Sequence, residues 1–362
     1  MSNTHYIIPI FVPHEGCPHN CVFCNQNSIT GTSNVVTPEF VDETVKEYLK
    51  TIDKRNATLE ISFFGGTFTA INIDKQKQLL SVAKKYKEGG VIDYIHLSTR
   101  PDYINDEILT NLKEYSVDII ELGVQSLDDE VLLKSGRGHT SEDVFKASKL
   151  IKQYNFTLGH QIMLGLPSDN FNKDIYTAKK VVEMKPDIAR IYPALVVKNT
   201  PMEKMYKLNI YKPYSLEEAV DISKLIYSMF QANNINVIRI GLQPTEEINY
   251  GKELVAGPFH PSFRELVEGS LYNEIILENL QEYNEKNIKL YINGKDISKL
   301  YAYKKKFFND TLKQIRTNKL EVLQDNSIER NTFMIKFDET CKKIVIKEYL
   351  EIKYKEGYLN II

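Results

Sequence analysis

Three of the chain's four cysteines, Cys17, Cys21 and Cys24, lie in the stretch HEGCPHNCVFCNQ with the spacing C-x3-C-x2-C. Thiolates this close in sequence can wrap one metal centre. The spacing admits three readings. The first is three buried structural thiols. The second is a structural zinc, which normally takes four protein ligands and would have to recruit His14 or His19. The third is a [4Fe–4S] cubane. Such a cluster usually takes four cysteines, and held by three it leaves one iron open for a substrate or cofactor. The spacing favours the open cubane. Cys341 stands alone far along the sequence. It cannot build a second cluster and is expected to be a buried, inert thiol.

An open iron needs rigid elements to hold a ligand against it, and the sequence supplies them by alternation. YIIPIFV (6–12), directly before the cysteines, reads as a buried strand. TPEFVDETVKEYLKTI follows as a helix, with Thr37 as N-cap, Pro38 at the first helical position and acids in the first turn. LEISFFGG, IDYIHLSTR, DIIELGVQS, NFTLGHQIMLGLP, DIARIYPALVV and INVIRIGL read as further strands, with an amphipathic helical segment between each and the next. Strict alternation argues for a parallel sheet with helical crossovers. The near-continuous apolar strands suggest a sheet buried on both sides.

The expected fold is α/β: an open, partial β/α barrel of about six strand–helix units with a small α+β C-terminal appendage. The expected domains are the barrel over residues 1–245, a helical extension packed on it over 246–284, and a basic α+β appendage over 285–362. Within the appendage, LYAYKKKFFNDTLKQI reads as a helix, and TFMIKFDE and KKIVIKEYLEIKY as alternating strands. Polar and glycine residues cluster just after strands, at Gly65-Gly66, Ser98 to Arg100, Gln125-Ser126 and Gly165 to Pro167. In strand–helix folds this is the functional rim.

Composition narrows the field. The apolar share is 42% and the charged share 26%, ordinary for a globular chain of 362 residues. Four cysteines do not make a secreted disulfide framework. The N-terminus lacks a secretion-signal pattern, and no apolar run approaches the ~20 residues of a membrane-spanning helix. The expectation is a cytoplasmic protein with no membrane association. Charge is uneven: residues 285–362 carry 17 Lys plus Arg against 11 Asp plus Glu, on a body that is net acidic. A lysine-rich solvated face explains this, as does contact with nucleic acid or another acidic partner.

CPHNCVFC on the first strand-to-helix loop, with Phe23 before its last cysteine, resembles the cluster motif of the radical S-adenosylmethionine (SAM) enzymes. FFGGTFTA, IELGVQSLDDEVLLKSGRGHT and QIMLGLPSDN follow in that superfamily's order. Together with IYPALVVKNTPM, these stretches look specifically like the radical SAM domain of the catalytic subunit of Elongator, the tRNA wobble-uridine modifying enzyme. They look more weakly like oxygen-independent coproporphyrinogen oxidases and heme chaperones. The resemblance covers roughly residues 5 to 270. It does not extend to that subunit's acetyltransferase domain or to its basic N-terminal extension.

The resemblance implies a [4Fe–4S] cluster on Cys17, Cys21 and Cys24, with SAM bound at the open iron. A low-potential electron would then cleave SAM to a 5′-deoxyadenosyl radical that abstracts hydrogen from a substrate. It implies SAM contacts from Gly65, Gly66 and Thr67, whose backbone lets a ligand approach closely; an isolated Gly-Gly is otherwise a plain turn. Gln125 and Ser126 either hydrogen-bond SAM or substrate or form a satisfied interior pair. Arg137 either pairs with the SAM carboxylate or is a surface arginine. Leu164 either lines the adenine site or is core. Tyr192 is a candidate substrate-facing residue, and His139 and His160 read as structural. No catalytic residue is assigned. A flavodoxin- or ferredoxin-type electron donor is the expected partner. RNA is the leading substrate class and a small metabolite the runner-up, with a heme- or metal-handling chaperone and a structural zinc protein as the rival classes.

Overall fold

The computed structural model describes residues 4–12, 15, 17, 19–25, 36–242, 244, 249, 251–281, 287–315 and 319–360. His14 lies outside them. The chain divides into two compact units, residues 1–213 with 243–257, and residues 214–242 with 258–362.

The first unit alternates strand and helix: β1 (Thr4–Val12), α1 (Pro38–Leu49), β2 (Ala57–Gly65), α2 (Ile73–Glu88), β3 (Tyr94–Thr99), α3 (Asp106–Glu114), β4 (Ile119–Gln125), α4 (Asp129–Lys134), α5 (Ser141–Gln153), β5 (Thr157–Leu164), α6 (Phe171–Met184) and β6 (Ile188–Pro193). β7 (Val196–Val197) and α7 (Pro201–Lys207) complete this run. The helix starts obey the capping rules. Thr37 accepts from the Phe40 N–H at 3.3 Å, and Thr140 and Asp143 form a reciprocal capping box at the start of α5. The strands β1 to β6 pair in parallel and in strict sequence order.

That order decides the environment of each face. Right-handed crossovers that always add the next strand on the same side send every helix to one face of the sheet. The sheet therefore curls as an open half-barrel with a helix-covered outside and a helix-free inside. Outward residues are apolar and sealed: Ile8, Ile10, Ile61, Phe63, Ile95, Leu97, Ile120, Leu122, Leu158 and Ile191 are all 0–1% exposed. The inner face carries Ser62, His96, Glu121, Gln161 and Arg190 instead. The inner face is buried as well over β2 to β4, as expected, with Ser62, His96 and Glu121 only 0–3% exposed, but it is polar because only one side receives helices.

The second unit holds α8 (Leu216–Ala232) and β8 (Asn236–Ile240), the seventh strand of the alternating series. The chain then returns to the first unit as β9 (Leu254–Ala256), antiparallel to β7. It continues in the second unit with α9 (Phe263–Leu280), β10 (Asn287–Ile292), α10 (Ile297–Leu300), α11 (Lys306–Gln314), β11 (Lys319–Gln324), β12 (Thr332–Phe337), β13 (Thr340–Val345) and α12 (Ile346–Lys355). The sheet order is β11-β10-β12-β13. One sheet face, with Ile288, Leu290, Ile292, Phe333, Ile335 and Ile344, forms a core with Leu271, Tyr272, Ile275 and Ile276 of α9.

Three local readings change. KKIVIKEYLEIKY is a strand only to Val345. Ile346 and Leu350, four apart, are buried while Lys347 and Glu348 are exposed, so the helical period prevails. The helix read across LYAYKKKFF is broken by three successive left-handed residues, Tyr303, Lys304 and Lys305. Cys341 is exposed rather than buried, because its side chain lies on the outer face of the β13 edge strand. Among the described residues no helix is long and apolar enough to cross a membrane.

Two buried histidines make the first unit acid-sensitive. His160 Nε2 lies 2.8 Å from the Ser148 hydroxyl, and burial holds its pKa down at about 3. His139 faces the Val124 carbonyl at 3.3 Å, and burial with the nearby Arg137 charge brings it to about 3 as well. Both lie below the ordinary 6.5, so the unfolded chain binds protons that the folded chain does not. The stability they secure is complete above pH 6.5 and is lost as pH falls toward 3. Circular-dichroism melts from pH 7.5 down to about 5 are expected to show a falling Tm, at up to roughly 1.4 kcal/mol per histidine per pH unit. A Tm independent of pH over that range would contradict this account.

Candidate metal centre at the mouth of the half-barrel

The cysteines sit on the loop directly after β1, and the end of β2 fixes that loop. The Gly66 N–H donates to the Val12 carbonyl at 2.7 Å, and the Thr67 N–H to the Glu15 carbonyl at 3.2 Å. A Cβ at Gly66 would stand 2.2 Å from the Glu15 carbonyl oxygen, and Gly65 adopts φ +110°. The Gly-Gly pair is therefore required for the loop to seat at all. Cys17 Sγ lies 3.6 Å from the Thr67 hydroxyl. Further along, the Val22 N–H donates to the Ser135 carbonyl, and the Val22 carbonyl accepts from the Met202 N–H. Phe23 packs against Val131, Leu166 and Ala194, and against Val196, Met202 and Tyr211. The aromatic residue of the motif is an anchor for the loop.

The GRGHT turn closes on the loop from the other side. Gly136 and Gly138 have φ +63° and +77°; a Cβ on Gly138 would meet the His19 ring at 2.4 Å. Between them, Arg137 donates from Nη2 to the Gly123 carbonyl at 2.7 Å and from Nη1 to Cys21 Sγ at 3.4 Å. Its Nε is buried with no partner. Arg137 thus ties the cysteine loop to the end of β4. None of the four cysteines forms a disulfide. Among the described residues no three His, Cys, Asp or Glu side chains gather around one point as a single ion requires. His14, a candidate fourth ligand for zinc, lies outside the described residues. Three cysteines on one loop match in number the protein ligands of a cubane that leaves one iron open.

The remaining candidates divide between the two faces of β4 and β5. Gln125 ends β4 at a register shift, with φ +65°, and its Oε1 accepts from Gln161 Nε2 at 2.9 Å. The bulge turns its amide inward. The Ser126 hydroxyl lies 3.3 Å from Thr177 and accepts from the Asp128 N–H, which ties it to α6. Leu164 is fully buried on the helix side. The structure thus joins the cysteines, Gly65, Gly66, Thr67, Phe23 and Arg137 in one assembly and places Gln125 on the inner face. Ser126 and Leu164 support the rim from outside.

Sequence reasoning missed a charged floor. Glu60, His96 and Glu121 are 1–3% exposed. His96 Nδ1 is 2.7 Å from Glu60, Ser62 donates to the same carboxylate at 2.5 Å, and Arg190 Nε reaches Glu121 at 2.8 Å. Burial works against the charge on Glu60, but His96, Ser62 and His5 outweigh it and hold its pKa down at about 2. Arg190 lies over the Phe64 ring at 5.0 Å and donates to the Tyr192 hydroxyl at 3.4 Å. Tyr192 is half-buried on the inner face, as is Gln161, and Phe11 is 38% exposed there. The signal was available: nearly every strand carries a polar residue at a position of the same parity, an odd feature for a sheet sealed on both sides.

Gly66→Ala is expected to unseat the cysteine loop without unfolding the half-barrel. After anaerobic reconstitution, iron bound per chain should fall at least several-fold while the far-ultraviolet circular dichroism stays unchanged. Full iron loading of the variant would contradict the clamp.

Comparisons with known proteins agree with this arrangement. Residues 11–179 match the radical SAM superfamily, and residues 186–273 the radical SAM C-terminal domain. A tRNA uridine(34) acetyltransferase of Methanocaldococcus jannaschii is 29% identical over 255 residues, 60% of this chain and 47% of that protein. Elongator complex protein 3 of Homo sapiens is 27% identical over 207 residues, 52% of this chain and 37% of that protein. The chain spans about half the length of the first of these relatives. A solved structure of Elp3 from the archaeon Methanocaldococcus infernus, with an N-terminal deletion, superposes with a TM-score of 0.59 at 20% identity, covering 94% of this chain and 75% of that one. That likeness shows the partial-barrel fold. With both superfamily domains in one chain, and the three cysteines where its half-barrel opens, this protein belongs to the radical SAM superfamily.

Proposed function

We propose that this chain holds one [4Fe–4S] cluster on Cys17, Cys21 and Cys24, binds SAM beside it, and acts on a base in RNA. One observation carries the reading: a clamped three-thiol loop stands at the mouth of a helix-free, polar half-barrel. When bound, the cluster and SAM supply a low-potential electron and a 5′-deoxyadenosyl radical.

The chain's own residues do the rest. Gly65 and Gly66 keep side chains away from the approach to the loop, and the Thr67 hydroxyl lies beside Cys17 Sγ. Arg137 bridges Cys21 and the Gly123 carbonyl and so braces the loop against β4. The Gln125–Gln161 amide pair offers donors and acceptors on the inner wall. Phe11, Phe64 and Tyr192 give flat surfaces on which a base can lie. The Arg190–Glu121 ion pair keeps the floor rigid, since neither buried charge can move without exposing the other. RNA as substrate is supported by the naming of curated relatives as tRNA uridine(34) acetyltransferases and by the basic residues 285–362. A low-potential flavodoxin- or ferredoxin-type protein would supply the electron.

The test is anaerobic reconstitution with iron and sulfide, then measurement of 5′-deoxyadenosine from SAM and a strong reductant, with and without bulk tRNA. Wild type is expected to form 5′-deoxyadenosine, with a several-fold increase on adding tRNA. Cys21→Ala should lose at least ~100-fold. A loaded cluster that never cleaves SAM would support a chaperone instead. Cleavage indifferent to tRNA would turn the search to small metabolites.

A further inference from the structure

The outer face of the four-stranded sheet in the second unit carries residues that its folding does not need. Burial alternates along β10, with Ile288, Leu290 and Ile292 inside and Asn287, Lys289 and Tyr291 outside. The register sets Lys289 directly opposite Lys336 of β12 and beside Glu321 of β11, and sets Tyr291 opposite Met334. A groove of about 460 Å³ runs over this face; its lining includes three lysines, Lys289, Lys319 and Lys336, two carboxylates, Glu321 and Asp338, and Tyr291.

Two features point to a polyanion with flat rings. Like charges directly opposed in an antiparallel pair destabilise a sheet, yet Lys289 and Lys336 face each other in its central pair. Glu321 offsets one of them by proximity. Of the lysines on this face only Lys343 has an ion-pair partner among the described residues, Glu329 at 3.6 Å. The second feature is Tyr291. The Lys336 ammonium stands 4.8 Å from its ring centre, so the partly exposed ring lies on the outer face of the sheet beneath that lysine. Lysines beside an aromatic ring on an open sheet are what a single strand engages: phosphates meet the ammonium groups and a base stacks on the ring. The groove's size lies in the range of small-ligand clefts, roughly 300–1,000 Å³, enough for one nucleotide.

We infer that this sheet face binds single-stranded RNA, with a base on Tyr291 and the flanking phosphates on Lys289, Lys319 and Lys336. The inference rests on the RNA reading above and gives it a contact surface. Lys336 leaves the ring for a phosphate when a base stacks, and the bound phosphates relieve the Lys289–Lys336 repulsion.

The experiment is fluorescence anisotropy of a labelled 12-nucleotide oligouridylate with the full chain, at salt from 50 to 200 mM. Tyr291→Ala is expected to weaken binding about 5- to 100-fold. Lys289→Gln should weaken binding several-fold, reduce the salt slope by about one, and raise the Tm of the RNA-free chain. A merely structural lysine would not combine these effects. Lys355→Gln, an exposed charge on α12, should change neither quantity. If wild type binds RNA and both sheet variants bind equally well, the sheet assignment falls and the RNA reading stands. If wild type binds no RNA at 50 mM salt, both fall. A lower Tm for Lys289→Gln would overturn the repulsion argument.

Discussion

The close approach of two backbones at the top of the half-barrel governs this structure. Glu15 and Val12 press their carbonyls onto Gly66 and Thr67, so closely that a single methyl group at Gly66 has no room. Three thiols on an unsupported loop would sample many arrangements. Ordering them costs conformational entropy that metal binding would have to offset. Here backbone hydrogen bonds and the packing of Phe23 fix several points of the loop in advance. The β2 end holds the start of the loop, the GRGHT turn holds its middle, and Phe23 pins its end between two apolar clusters.

The winding of the sheet creates the space that this loop overlooks. With β1 to β6 added always on one side, helices cover the outer face and nothing helical covers the inner one. A buried inner face can tolerate charge only if each charge is compensated. Glu60 is held by His96, Ser62 and His5, and Glu121 by Arg190 and Ser98. The result is a floor that is polar but stiff. Stiffness suits radical chemistry, in which a reactive intermediate must meet one atom of its target and no other.

Much of this was legible in the sequence, and the reasons are local. The strands of the half-barrel and their helices announce themselves through period and, at Thr37-Pro38, through a cap. The cysteine spacing and Gly65-Gly66 mark the mouth because glycine is needed where backbones touch. The charged floor was missed because Glu60, His96, Glu121 and Arg190 are scattered over four strands, and only the register brings them together. The end of the chain was misread at Val345 because Ile344 and Ile346 suit a strand while Ile346 and Leu350 suit a helix. Only packing against the α9 core decides between them. Arg137 was legible as a candidate, but its contact with Cys21 depends on how two loops interlock, which no local pattern encodes.

The central claim is that the three clamped thiols hold a cubane with one iron left open to SAM. The most direct measurement is electron paramagnetic resonance of the anaerobically reconstituted, reduced chain before and after adding SAM, alongside iron and sulfide analysis. The account predicts about four irons and four sulfides per chain, and a cluster signal whose shape changes when SAM is added. Bound zinc without sulfide, or a cluster signal that SAM leaves unchanged, would contradict it.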